Sequence, residues 1–225
     1  MDNDVLRQAP LFSGLDDEAA MWLGSSMSQT RLARGEALFR EGDSGDRLYV
    51  VTEGKIKLGR TSADGRENLL AILGPGQMFG ELSLFDPGPR SATATAVTDA
   101  TIRSLSHSEL SRWLDSRPDV ARGLLNQLAS RLRRANDVVA DLVFSDVPGR
   151  VAKALLDLSR RFGRSADDGI HVHHDLTQEE LAQLVGASRE TVNKALSDFV
   201  ARGWLRLEPR SVVLLNVERL QHRAR

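Results

Sequence analysis

Cysteine is absent from the 225 residues. That absence excludes disulfides, thiolate zinc sites, cysteine-ligated iron–sulfur clusters and cysteine nucleophiles. Long apolar runs are absent too. The longest uncharged stretch, Asn68–Gly80, is interrupted by Gly74, Pro75 and Gly76 and is too short to span a bilayer. The first residues, Met1-Asp2-Asn3-Asp4, are acidic with no apolar run behind them, which argues against a secretory signal. The expectation is a cytoplasmic, soluble protein with no membrane partner. An excess of one charge is also lacking: 30 basic against 31 acidic residues leave a net −1. Taken as one body, such a chain advertises no nucleic-acid partner.

What is present is enough apolar material for a core, at 41% hydrophobic residues, which excludes a fully disordered chain. The length suits one large domain or two small ones. From about Arg31 to Leu105 the chain is cut by turn residues at Gly42–Gly45, Gly54, Asp64–Gly65, Gly74–Gly76 and Pro87–Pro89. Between them lie strand-like runs at Leu48–Thr52, Ile56–Thr61, Leu69–Leu73, Ala92–Val97 and Thr101–Leu105. Short strands so spaced predict a sandwich or barrel, with a helix before it around Ala19–Met27.

The pattern changes at Pro118. Ala121, Leu125, Leu128, Leu132, Ala135, Val139 and Leu142 recur at alternating steps of four and three, a heptad seam running to Phe144. Such a seam either pairs with its twin or packs on its own domain; its regularity favours the pair. Asp146-Val147-Pro148-Gly149 then marks a hinge and a helix restart. The charge divides there. Up to Ala140 there are 17 basic and 19 acidic residues, whereas from Arg189 onward there are 8 and 4. The near-zero total hides a basic C-terminal end.

In that end, Thr177 followed three residues later by Glu180 is a capping box. Gly186 suits a left-handed helix stop, and Ser188 can cap the next helix. The second helix has an inner face of Val192, Ala195, Leu196 and Phe199. Its outer face carries Arg189, Glu190, Asn193, Lys194 and Ser197. Two short helices joined through glycine, the second with a polar front, read as a helix-turn-helix. A hairpin follows, Trp204–Leu207 and Val212–Asn216 around a turn at Glu208–Ser211. Arg189 and Lys194 can donate to guanine, and Glu190 can accept from cytosine. Thr177, Gln178, Ser188 and Thr191 lie at helix starts, where hydroxyl and N–H groups can hold phosphates. The bland alternative is an ordinary solvated helix face.

A second segment points to an anion. Phe79-Gly80-Glu81-Leu82-Ser83-Leu84-Phe85 can make one helical turn with free N–H groups, followed by a rigid Asp86-Pro87-Gly88-Pro89 loop into Arg90-Ser91. Arg90 can pair with a phosphate and Ser91 adds a hydroxyl. Glu81 would repel a phosphate, so toward a ligand it should accept from sugar hydroxyls. An Arg90–Glu81 salt bridge inside a barrel is the alternative.

Phe79-Gly80-Glu81-Leu82-Ser83 with Arg90-Ser91 resembles the phosphate-binding cassette of cyclic-nucleotide-binding domains. Val185-Gly186-Ala187-Ser188-Arg189-Glu190-Thr191-Val192 resembles the helix-turn-helix signature of the cyclic-AMP receptor protein family. The likeness covers nearly the whole chain. It is strongest to actinobacterial members, through Asp64-Gly65-Arg66-Glu67-Asn68 and Phe85-Asp86-Pro87-Gly88-Pro89-Arg90.

The resemblance implies an α+β fold. A jelly-roll-like β-roll sensor would occupy residues 1–118, a dimerisation helix 119–145, and a winged helix-turn-helix 146–225. Cyclic AMP would be an allosteric effector rather than a catalytic cofactor. Glu81 would bind the ribose, with Gly80, Leu82, Ser83, Arg90 and Ser91 around the cyclic phosphate. Arg131 would approach from the long helix, and Leu58, Leu70 and Leu73 would line an apolar wall. Arg189, Glu190 and Lys194 would read a palindrome similar to TGTGA–six bases–TCACA. Lys194 stands where the family often has Arg, so it lacks the bidentate fork. Ala135 stands where the family usually has Thr or Ser touching the purine; Asn136 could take over that contact. The implied partners are double-stranded DNA, a cyclic nucleotide, a second copy of the chain and RNA polymerase. A regulator with another effector, or none, is the alternative.

No nucleophile sits with a base, so no enzyme is expected. His171, His173 and His174 have no clear carboxylate set to complete a metal shell, and they read as a strand edge.

Overall fold

The structure, a computed structural model, describes residues 5–6, 9, 17–82, 88–116 and 118–224, without the side chains of 17–20, 116, 118–124, 127 and 131. By internal contacts the chain divides into two compact units. One is Met1–Arg60 with Leu70–Arg134; the other is Thr61–Leu69 with Ala135–Arg225.

The first unit holds helix α1 (Asp17–Ser26) and strands β1 (Ser28–Leu32), β2 (Ala37–Phe39), β3 (Arg47–Glu53), β4 (Ile56–Thr61) as far as Arg60, β5 (Glu67–Leu73) from Leu70, β6 (Met78–Phe79), β7 (Thr93–Ala96) and β8 (Ala100–Ser106). They form two four-stranded sheets, ordered β1-β8-β3-β6 and β2-β7-β4-β5. The roll follows from alternation. In β3 and β8, Leu48, Val50, Ile102 and Leu105 are fully buried, and two buried clusters fill the unit. One gathers Val51, Ile56, Phe79, Ala94 and Ile102; the other gathers Leu23, Leu48, Met78, Leu105, Leu110 and Trp113. Helix α2 (His107–Ser116) follows, its first turn fixed by Glu109, which accepts from Ser106 N at 2.9 Å.

Helix α3 spans Pro118–Phe144, the limits that the heptad pattern marks. The seam divides into one residue packed on its own unit and several left exposed. Leu128 packs against the cluster around Trp113. Leu125 is 66% exposed and Leu132 64%, and Val139 and Leu142 are also exposed.

Helix α4 (Val147–Phe162) restarts at the hinge, with Asp146 capping Gly149 N at 3.0 Å and Pro148 in the first turn. Then come β9 (Gly163–Ala166), β10 (Gly169–His173), α5 (Gln178–Val185), α6 (Arg189–Ala201), β11 (Leu205–Glu208), β12 (Ser211–Leu214) and α7 (Val217–Arg223). The strands form one antiparallel sheet, β11-β12-β10-β9. Val151, Leu155, Leu181, Val185, Val192, Leu196, Phe199, Val212 and Leu220 share one core. Each such side chain contributes roughly 1.5–3 kcal/mol on burial.

The final hairpin starts later than expected, turns more tightly and ends earlier, at Leu214 rather than Asn216. Trp204 precedes the strand: it stacks on Phe199 at 5.3 Å, and its carbonyl accepts from Leu215 N and Asn216 N. Glu208 and Ser211 are paired strand residues, so the turn narrows to Pro209-Arg210, with Arg210 at φ 56°.

Candidate functional site

In the first unit the cassette begins in a strand. Phe79 belongs to β6, paired opposite Tyr49; Leu82 is helical, and residues 83–87, where the rest of the expected turn would fall, lie outside the described residues. The chain leaves the sheet at Gly80, whose φ of 79° disfavours other residues. Space adds a second reason. A Cβ on Gly80 would lie 2.8 Å from Arg90 Nη1, 3.1 Å from the Arg47 carbonyl oxygen and 3.1 Å from Tyr49 Cδ2. Backbone and guanidinium are thus in direct contact.

Arg90 is 3% exposed and Glu81 is fully buried. They do not form the salt bridge that was one reading of the sequence. The guanidinium donates to the Gly80 carbonyl at 2.8 Å and the Arg47 carbonyl at 2.9 Å. It lies over the Phe39 ring at 4.4 Å and the Tyr49 ring at 5.4 Å. A buried cation held by carbonyl dipoles and aromatic faces keeps its full charge for an anion. Of the other residues expected at the site, Leu73 is buried, Leu58 partly buried, and Leu70, Leu82 and Ser91 exposed. Asn136 is exposed on α3. Ser83 and the side chains of Arg131 and Ala121 lie outside the described residues. Phe39, Tyr49 and the Arg47 carbonyl were missed from the sequence. The only signal was β3 alternation, which places Tyr49 opposite Leu48 and Val50.

In the second unit the helix pair forms as its caps dictate. Thr177 Oγ1 accepts from Glu180 N at 3.1 Å, and Glu180 Oε2 accepts from Thr177 N at 2.8 Å. Gly186 is left-handed, at φ 69° and ψ 45°. Ser188 Oγ accepts from Thr191 N at 3.2 Å and lies 2.8 Å from Thr191 Oγ1. Arg189, Glu190 and Lys194 stand exposed together on the front of α6, while Val192, Ala195, Leu196 and Phe199 face the core. Thr177, Gln178, Ser188 and Thr191 are exposed at the two helix starts.

Arg150 went unnoticed in the sequence, because nothing local marks it. Its guanidinium donates to the carbonyls of Val185 (3.1 Å), Gly186 (3.2 Å) and Ser145 (2.8 Å). It thereby ties the turn between α5 and α6 to the end of α3. Leu142 touches the same turn: a Cβ on Gly186 would lie 3.3 Å from its Cδ2. Asp141 adds an ion pair to Lys153 at 2.6 Å. Asp146 accepts from Arg223, which pulls its carboxyl below the usual carboxylate range.

On the sheet, Asp168 accepts from Arg206 at 2.8 Å and lies 2.7 Å from His171 Nε2. Arg206 first, then His171, hold its carboxyl down at about 2. His173 is exposed, and His174 Nδ1 accepts from Leu176 N. Among the described residues no group of His, Asp and Glu is placed to hold a metal ion, and no helix is long and apolar enough to cross a membrane.

Residues 29–117 match the cyclic nucleotide-binding domain, and residues 149–223 match the Crp-like helix-turn-helix domain. Over 223 residues the chain is 52% identical to the CRP-like cAMP-activated global transcriptional regulator of Mycobacterium tuberculosis, with 99% of this chain and 100% of that one covered. The chain belongs to the CRP family. This CRP-family protein is a DNA-binding, cyclic-nucleotide-binding transcription regulator and not an enzyme. Among solved structures it is similar to the Thermus thermophilus catabolite activator protein, at 38% identity and a TM-score of 0.56, covering 96% of this chain and 98% of that one. It is also similar to the c-di-GMP-responsive global regulator CLP of Xanthomonas campestris, at 28% identity and a TM-score of 0.76, covering 88% and 99%.

Proposed function

We propose that this regulator works in the cytoplasm as a homodimer whose DNA affinity rises when cyclic AMP binds each β-roll. The observation that carries the effector reading is the buried Arg90 guanidinium against Gly80, with buried Glu81 next in the chain. It supports Arg90 as the phosphate-binding cation and Glu81 as the ribose acceptor, with Gly80, Leu82, Ser83 and Ser91 beside them. Arg131, Asn136, Leu70 and Leu73 would complete the surroundings. The name of the Mycobacterium tuberculosis relative supports cyclic AMP as the nucleotide.

Pairing through Leu125, Leu132, Val139 and Leu142 would cover apolar side chains that a single chain leaves in water. Two α6 helices would then enter successive major grooves, about 34 Å apart. There Arg189, Glu190 and Lys194 would read a TGTGA-like palindrome, with Thr177, Gln178, Ser188 and Thr191 near phosphates. RNA polymerase would be the further partner. The nucleotide can shift the dimer only by its differential affinity for the DNA-competent state.

The test is a cyclic AMP titration against a fluorescent palindromic duplex at fixed salt. Tightening with ligand is expected. Unchanged affinity up to millimolar cyclic AMP refutes the effector reading and leaves DNA binding intact.

Ala135 favours one rival: a DNA-binding regulator with a different effector or none. Alanine stands where the resemblance expects a hydroxyl against the purine, and CLP shows that a relative answers to a different nucleotide. Calorimetry with cyclic AMP, cyclic GMP and c-di-GMP separates the readings.

A further inference from the structure

The Arg90 site contains more than the cassette. β2 carries Phe39 from one sheet; β3 and β6 carry Tyr49 and Phe79 from the other. The three rings pack together, with centroids 5.6 Å apart for Phe39–Tyr49, 5.3 Å for Tyr49–Phe79 and 6.0 Å for Phe39–Phe79. Arg90 lies on the Phe39 and Tyr49 members of this cluster.

The guanidinium needs such a surface. It has five N–H donors. Among the described residues it makes two hydrogen bonds, both to backbone carbonyls, and buried Nε has no acceptor there. No carboxylate of the described residues pairs with it. A cation this buried is costly unless something compensates its charge. The ring quadrupoles supply part of that compensation without neutralising the charge, as a carboxylate would.

We infer that Phe39 and Tyr49 are positioning residues for the nucleotide, forming an aromatic seat that fixes the Arg90 guanidinium before the ligand arrives. This rests on the reading of Arg90 as the phosphate-binding cation. The carbonyls of Gly80 and Arg47 set where the guanidinium lies, and the rings set the plane in which it lies. An anchored guanidinium has less ordering left to lose on binding, so the seat acts as preorganisation. An aliphatic side chain of similar size would fill the space but offer no negative face.

The test uses the full-length protein, cyclic AMP calorimetry and three chains: wild type, Phe39→Leu and Phe39→Tyr. Phe39→Leu is expected to weaken cyclic AMP binding about tenfold. Phe39→Tyr, which restores a ring, is expected to return it to within about twofold of wild type. Equal affinity for all three chains overturns the seat, as does equal weakening by Leu and Tyr. If Phe39→Leu fails to fold by circular dichroism, Tyr49→Leu against Tyr49→Phe makes the same comparison.

A second readout needs no ligand. Because the Arg90 guanidinium carbon lies over two rings, the Nε–H proton should be shifted by their currents in the free protein and move toward the random-coil value in Phe39→Leu. An unshifted proton in the wild type refutes the seat. A wild type that shows the shift but binds no cyclic nucleotide refutes the effector reading, and the positioning role with it.

Discussion

Adding one methyl group at Gly80 strikes two constraints at once. The residue sits at φ 79°, where alanine is strained by roughly 1–2 kcal/mol. The new Cβ would also stand 2.8 Å from Arg90 Nη1, closer than side-chain carbons approach a nitrogen. The guanidinium must retreat and lose its bond to the Gly80 carbonyl. A hydrogen bond from a charged donor contributes roughly 1.5–3 kcal/mol, and burial leaves little solvent to replace it. Gly80→Ala should therefore cost about 2.5–5 kcal/mol in the unfolding of the first unit.

Gly35→Ala isolates the strain. Gly35 has a similar φ of 84°, yet its Cβ would meet nothing within 4 Å. That variant should lose only roughly 1–2 kcal/mol. Urea unfolding followed by Trp fluorescence measures both, and calorimetry reads cyclic AMP affinity. Gly80→Ala should bind at least about tenfold more weakly, a loss of about 1.4 kcal/mol, while Gly35→Ala binds like wild type. Equal destabilisation by the two variants, with wild-type ligand affinity in Gly80→Ala, would refute the claim that Gly80 exists to admit the guanidinium.

Other outcomes follow from the same structure. Ser188→Ala removes the acceptor for Thr191 N and should destabilise the second unit by about 1 kcal/mol, measured by thermal unfolding, with DNA binding weakened on every sequence. Arg189→Ala should relax the preference at one base pair by about 1–3 kcal/mol in a competition series, rather than weaken all duplexes equally. Leu132→Glu with Val139→Glu should sediment as a monomer and lose affinity for a palindrome more than for a single half-site. Asp168 titrates at about 2 in the fold against an ordinary 3.8. Its contribution to stability is therefore complete above the ordinary value and lost as pH falls toward 2. Asp168→Asn should be less stable than wild type at neutral pH, and the difference should close on acidification. An NMR midpoint near the ordinary value contradicts its pairing with Arg206 and His171.

The parts of this molecule that were legible in sequence are those whose chemistry is local. The Thr177–Glu180 box, Gly186 and Ser188 each satisfy backbone groups within a few residues, so their letters state their geometry. The limits of α3 were legible for a related reason, because a helix repeats its demand every turn. Arg90 was legible as a cation but not in its surroundings. Its partners come from β2, from β3 and from the residue that follows β6, and only the pairing of those strands brings Phe39, Arg47 and Gly80 to one guanidinium. The same holds for Arg150, whose acceptors lie 5, 35 and 36 residues away. The shifted hairpin has a packing cause: Trp204 is held back by Phe199, so the strand starts one residue later.

The exposed seam of α3 has a genetic consequence under the proposed pairing. Two identical faces recognise each other without any reference to α6, which lies in a separate part of the chain. A copy with a ruined recognition helix and an intact seam is thus as good a partner as a sound one. In a cell making both, most sound chains would be captured in pairs able to grip only half a palindrome. Damage to α6 should behave as dominant, whereas damage to Leu132 and Val139 should behave as recessive.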